Sequence, residues 1–212
     1  MTRKTNAGKI SILALFAAII IIQNYVPLLG YIPVGIFVVT TIHITVVIAA
    51  IVLGPVDGAI VGGIWGIVDW IKALTLTASP FSNIVMANPM VSIVPRILIG
   101  LVTGLVVNWM IRINIKQQIT LIVGSIIGSL VNTSLVLSMI YIFFHNGSGI
   151  YAALNIQDLM PYLLSVAGVH GIPEAIAAGV IAPLISIPLL KYTKVGQERF
   201  RQSDNMKEKI NF

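Results

Sequence analysis

Asn83-Ile84-Val85-Met86-Ala87-Asn88-Pro89-Met90-Val91-Ser92-Ile93-Val94-Pro95-Arg96 runs directly into the apolar stretch Ile97 to Met110, and the reading of this segment decides the fold. A guanidinium on a helix that otherwise belongs in lipid is costly unless a partner meets it. The chain is therefore built to hold a polar or anionic group at Arg96.

The rest of the chain supports a membrane setting. Of 212 residues, 57% are hydrophobic and 9% charged, against about 25% charged in soluble domains. Ile10 to Val56 and Gln117 to Gln157 contain no Asp, Glu, Lys or Arg. Each is far longer than the roughly 20 residues of a single crossing, and the first folds into more than one span. The net charge of +6 comes from cations at chain ends and short turns, not along one soluble face, which argues for membrane topology and against nucleic acid. With no cysteine there is no disulfide framework and no Cys-based metal or redox site, and nothing calls for a metal or cofactor.

Six spans follow from the hydropathy: about Ile10–Leu29, Phe37–Leu53, Gly58–Leu74, Val91–Ile111, Ile119–Phe144 and Leu159–Leu190. The expected fold is all-α, a bundle of six transmembrane helices over residues 1–191, with a short basic and polar tail over 192–212. Arg3, Lys4 and Lys9 ahead of Ile10 to Ile22 resemble a signal peptide in outline, but Gln23, Asn24 and Tyr25 stand where small cleavage-site residues belong, so the reading is an uncleaved helix. All Lys and Arg except Lys72 and Arg96 fall at the chain ends or in the Arg112 to Lys116 turn. By the positive-inside rule both termini are cytoplasmic. The Thr75 to Asn88 connection and the His145 to Asn155 loop then face out, with Arg96 about 9 Å below the outer end of its helix at 1.5 Å per residue.

Candidate binding residues lie at that outer level. Trp65 and Asp69, four apart, share a helix face; Asp69 either walls a binding site or pairs with Lys72 three residues on. Asn83 and Asn88 stand in the long polar connection, which reads as a lid. Asn132 places an amide within the membrane, where it must find a partner. His170 and Glu174 are again four apart, a ligand contact or a structural pair. His43 reads as a packing residue. Ala14 and Ala18 form a small-xxx-small stripe that lets another helix come close; Gly58, Gly62, Gly63 and Gly66 do the same in the third span.

No Gly-x-x-x-x-Gly-Lys-Ser/Thr, His-Glu-x-x-His or Gly-x-Ser-x-Gly pattern occurs, so no ATPase or hydrolase is encoded here. The chain is not read as an enzyme. Two classes remain open: a substrate-binding subunit driven by another protein, or a self-sufficient ion-coupled transporter using Asp69 and Glu174.

The Ala14/Ala18 stripe, the Asn88-Pro89 helix start and the run Val91-Ser92-Ile93-Val94-Pro95-Arg96-Ile97-Leu98-Ile99-Gly100 resemble the substrate-binding S components of energy-coupling factor (ECF) vitamin transporters, most closely the pantothenate-type branch. That resemblance implies a bacterial multi-pass membrane protein that captures a vitamin from outside. It implies docking through Ala14 and Ala18 onto a transmembrane coupling subunit with two cytoplasmic ATPases, and a lid over the vitamin at Thr75 to Asn88. Pantothenate, a small anion with an amide and two hydroxyls, suits Arg96 as carboxylate fork, with Asn83, Asn88, Asn132 and His170 serving its other groups. Folate, riboflavin or a pyrimidine or pyridoxine-type vitamin are the alternatives within the class.

Overall fold

The computed structural model describes residues 3–26, 28–34, 37–76, 80–146, 151, 158–193 and 196–197. Helix α1 (Arg3–Tyr25) is followed by strands β1 (Tyr31–Val34) and β2 (Phe37–Thr40), then α2 (Ile42–Leu53), α3 (Pro55–Thr75), α4 (Pro80–Met86), α5 (Pro89–Arg112) and α6 (Gln117–Phe144). The last crossing is composite: α7 (Leu159–Val166), a π-helical turn over Ala167–Gly171, and α8 (Ile172–Tyr192). Five crossings are long and apolar enough to span a bilayer, and α2 is a shorter sixth. The six-helix membrane bundle expected from hydropathy is present.

Helix α2 is the axis of the bundle. Its twelve residues are all buried, and a helix that is apolar all round has no face to offer to water. Around it a core of Phe16, Ile20, Val46, Val47, Ile51, Val61, Ile99 and Leu121 gathers side chains from α1, α3, α5 and α6. At 1.5 Å per residue α2 spans only about 18 Å, short of the roughly 30 Å hydrocarbon core.

The reason is a correction to the sequence reading, which began this span at Phe37. Tyr31–Val34 and Phe37–Thr40 instead pair as an antiparallel hairpin, with Tyr31 opposite Thr40. Aromatic and β-branched residues dominate both strands, a composition that favours extended backbone. Thr41 closes the hairpin by donating from N to Gly30 O at 2.9 Å and from Oγ1 to Leu29 O at 2.6 Å.

Helices α3 and α5 approach most closely, and glycine is the cause. Cβ atoms added at Gly58 and Gly66 would lie 3.0 Å from the Gly100 carbonyl oxygen and 2.7 Å from Ile93 Cα, and one at Gly62 would strike the Arg96 carbonyl oxygen. These glycines recur every fourth residue on one face of α3, so backbone meets backbone along the seam. Gly63, the fourth glycine in this span, meets only the Ile97 side chain. The seam sets the depth and rotation of Arg96.

The Thr75 to Asn88 connection also departs from expectation. Its residues 77–79 lie outside the described set, but Pro80–Met86 is helical, with proline in the first turn, where a missing N–H costs nothing. Val85 of α4 packs into a second apolar cluster with Val91, Ile140, Leu159 and Leu163, which seats α4 across α5, α6 and α7. Most of the His145 to Asn155 loop and of the 192–212 tail also lies outside the described residues.

Candidate functional site: an outer-end cavity around Arg96

The end of α3, the start of α5, the second half of α6, the start of α8 and the hairpin all converge at the bundle end opposite the start of α1 and the end of α8. Between them lies a cavity of about 620 Å³, within the range of small-molecule sites. Trp65, Asp69, Asn83, Arg96, Asn132, His170 and Glu174 all line it. Seven of the eight binding candidates, drawn from five separate segments, are thus brought together by the fold.

Asn88 is the exception and the reading of it as a ligand contact is corrected. Its side chain caps α5, accepting from Met90 N at 3.0 Å. This is the ordinary work of an asparagine at a helix N-terminus, made readable by the Asn88-Pro89 pair.

Arg96 is 5% exposed and its position is overdetermined. Pro95 has no N–H to give to the carbonyl four residues earlier, so Val91 O is left without its helical donor. Arg96 Nη1 fills that place at 3.0 Å, as the lean of helical side chains toward the N-terminus allows. The guanidinium carbon stands 4.8 Å from the Trp65 ring centre, a cation–π distance. Nη2 lies 3.4 Å from Asp69 Oδ2 and 3.8 Å from the Met86 sulfur. Nε is buried without a partner.

Asp69 answers the question left open by the sequence: it pairs with Arg96, not with Lys72. Its Oδ1 accepts from Asn24 Nδ2 at 2.6 Å and from the Tyr31 hydroxyl at 2.8 Å. One carboxylate therefore ties α1, the hairpin and α5 to α3. Burial, and next the Asp69 charge, raise the Tyr31 phenol well above its ordinary pKa, so it remains a hydroxyl donor.

The opposite wall is polar and open-handed. Asn132 Oδ1 and Thr133 Oγ1 on α6 and Asn83 Oδ1 on α4 are buried without hydrogen-bond partners. Each such atom costs about 1 to 3 kcal/mol when left unmet, a cost that a polar ligand removes. Glu174 Oε1 accepts from Thr40 N at 2.8 Å, fixing the hairpin to α8. His170 sits in the π turn immediately before Pro173, where proline cannot donate back along the helix and the register widens; such π turns recur at functional sites. His43, read as a packing residue, is fully buried below the cavity with Nε2 at 3.3 Å from Ser129 Oγ. No group of three or more metal-ligating side chains occurs among the described residues.

Sequence reasoning missed Tyr31, Thr40, Lys72 and Met86 as lining residues. One signal was available for Lys72: it is a cation at the outer end of a span, where the positive-inside rule expects none. Tyr31 carried no such mark, because the hairpin that carries it was not read.

Ala14 and Ala18 face outward from the bundle, while Phe16 and Ile20 turn into the core.

Comparison with known proteins agrees with this architecture. The family model of the ECF transporter substrate-specific component matches residues 9–186. The pantothenate transporter PanT of Leuconostoc mesenteroides is 43% identical over 91 residues, covering 41% of this chain and 44% of that protein's length. The pantothenic acid transporter PanT of Lactococcus lactis subsp. cremoris is 29% identical over 205 residues, 89% of this chain and 97% of the relative. Among solved structures, the S component for biotin from an ECF-type ABC transporter superposes with a TM-score of 0.56 at 17% identity, over 91% of this chain and 96% of that one; this likeness is one of fold. With the family model spanning nearly all of the membrane bundle, the chain belongs to the substrate-specific components of ECF transporters, multi-pass membrane proteins of bacteria.

Proposed function

We propose that this chain is the vitamin-capturing subunit of an ECF importer and that its vitamin is pantothenate. The observation that carries the reading is Arg96: buried, backed by Trp65 and Asp69, with Nε unpartnered on a cavity of about 620 Å³. A carboxylate reaching Arg96 would be met by a charge-assisted bond. Asn83, Asn132 and Thr133 on the other walls would take the amide and hydroxyls. The two relatives described as pantothenate transporters support the same assignment.

Delivery into the cell is proposed to pass through a transmembrane coupling subunit driven by two cytoplasmic ATPases, with Ala14 and Ala18 as the docking stripe. Their outward orientation on α1 supports that role. The competing reading, ion coupling through Asp69 and Glu174, is disfavoured by Asp69 itself, whose oxygens are already engaged by Asn24, Tyr31 and Arg96.

Calorimetry of the purified protein in detergent against pantothenate, folate, riboflavin and a pyridoxine-type vitamin tests the substrate. Tight binding of pantothenate alone is expected. Vesicles holding only this protein should accumulate no vitamin under any ion gradient; accumulation would establish the ion-coupled alternative.

A further inference from the structure

Two cations line the cavity, and they are not equivalent. Arg96 already has a counter-charge in Asp69, and the cavity's other carboxylate, Glu174, accepts from Thr40 N. Lys72 pairs with neither. Its ammonium donates to the Asn24 carbonyl oxygen at 2.6 Å and stands 4.8 Å from the Tyr31 ring centre and 6.0 Å from that of Tyr25. No carboxylate lies within ion-pairing distance of it among the described residues, whose two ion pairs are Lys9–Asp57 and Arg96–Asp69. Ring faces, a carbonyl and the C-terminal end of α3 hold the ammonium with dipoles and partial charges only. Asp69, three residues away and able to pair with it on spacing alone, is committed elsewhere.

An anion entering this cavity gives up its hydration, and a cation with no carboxylate partner offsets that loss more than one already paired. We propose that Lys72, the lining cation without a carboxylate partner, supplies the positive charge that selects an anionic vitamin, while Arg96 supplies directed donors that orient it. The inference rests on the reading of the cavity as a site for a small carboxylate-bearing vitamin. Lys72, in the last turn of α3 at the outer end and half-buried, is reached by an arriving solute before the more deeply buried Arg96.

The test uses the full chain in detergent, with pantothenate and its uncharged carboxamide as probes in calorimetry. Wild type binds the acid more tightly than the amide. Lys72→Met weakens acid binding by roughly tenfold to a hundredfold, the range for a hydrogen bond to a charged group, and leaves the amide unchanged, so the preference collapses. Lys72→Arg restores it. Arg96→Lys weakens acid and amide together and keeps the preference, because charge is retained and the fork is lost. Lys72→Gln, which retains an N–H donor for the Asn24 carbonyl, replaces the methionine variant if that one does not fold. If the neutral variants lose acid and amide binding equally, Lys72 is only a tether for α1 and the inference fails. A wild-type preference that survives in them overturns the Lys72 role and leaves the carboxylate reading standing, whereas equal wild-type affinity for acid and amide overturns both.

Discussion

Asp69 Oδ2 lies 3.4 Å from Arg96 Nη2, a long contact, while its other oxygen is held at 2.6 Å by Asn24 and at 2.8 Å by Tyr31. The carboxylate is thus anchored firmly to α1 and the hairpin and loosely to the arginine. Breaking one side of a buried pair costs about 3 to 5 kcal/mol, so Asp69→Asn should lower the melting temperature of the ligand-free protein. It also leaves Arg96 short of a counter-charge that an anionic vitamin would supply. Pantothenate should therefore raise the melting temperature of Asp69→Asn by more than it raises that of wild type, a comparison made by thermal unfolding in detergent. Identical ligand-induced shifts would mean that the Asp69 charge does not act on the site.

Arg96→Ala removes the donors at the cavity wall and leaves Asp69 buried without its charge partner. The expected loss in pantothenate binding is about 2 to 5 kcal/mol, or roughly thirtyfold to several thousandfold. Arg96→Lys should fall between wild type and alanine, since lysine keeps charge without the planar fork. Calorimetry on the three proteins decides, and normal binding by Arg96→Ala would remove Arg96 from the site.

Gly62 faces the Arg96 carbonyl so closely that a methyl group has no room. Gly62→Ala should push α5 away from α3 and cost about 1 to 3 kcal/mol by overpacking. Because the displaced residue is Arg96, affinity should fall as well as stability. Gly63→Ala, whose added carbon would meet only the Ile97 side chain at 3.4 Å, should leave both nearly unchanged. The pair of variants is compared by thermal unfolding and calorimetry, and equal effects at the two positions would contradict the seam.

Ala14→Leu and Ala18→Leu enlarge side chains on the outward face of α1. Neither reaches the cavity, so vitamin binding by the isolated protein should be intact. ATP-dependent uptake in vesicles that contain the whole importer should be abolished. Binding lost together with uptake would show that the stripe packs within the bundle.

Orientation follows from the distribution of Lys and Arg. A cysteine introduced at Ser148 should react with an impermeant reagent added outside intact cells, and one at Ser203 only after the cytoplasm is opened. The reverse pattern would invert the bundle and place the cavity mouth on the inner side.

Hydropathy and charge placement, which are properties of single residues summed along the chain, determined the membrane setting and the number of crossings, and predict the side on which the termini lie. Local spacing determined somewhat more. Glycines at every fourth position of the third span foretold a close helix seam, and Pro95-Arg96 marked a guanidinium that something must meet. Even the capping role of Asn88 was available from the proline that follows it, although the residue was read as a ligand contact.

Tertiary structure alone decided which charges belong together. From spacing, Asp69 had Lys72 three residues away and Arg96 twenty-seven away, and spacing left its partner open. The α3–α5 seam brings Arg96 across, α1 contributes Asn24, and the hairpin contributes Tyr31. These contacts are set by which helix faces meet, a consequence of packing summed over the whole bundle that no window of sequence contains. The hairpin escaped notice for a related reason: a short apolar run is equally compatible with strand and helix, and only its neighbours choose between them.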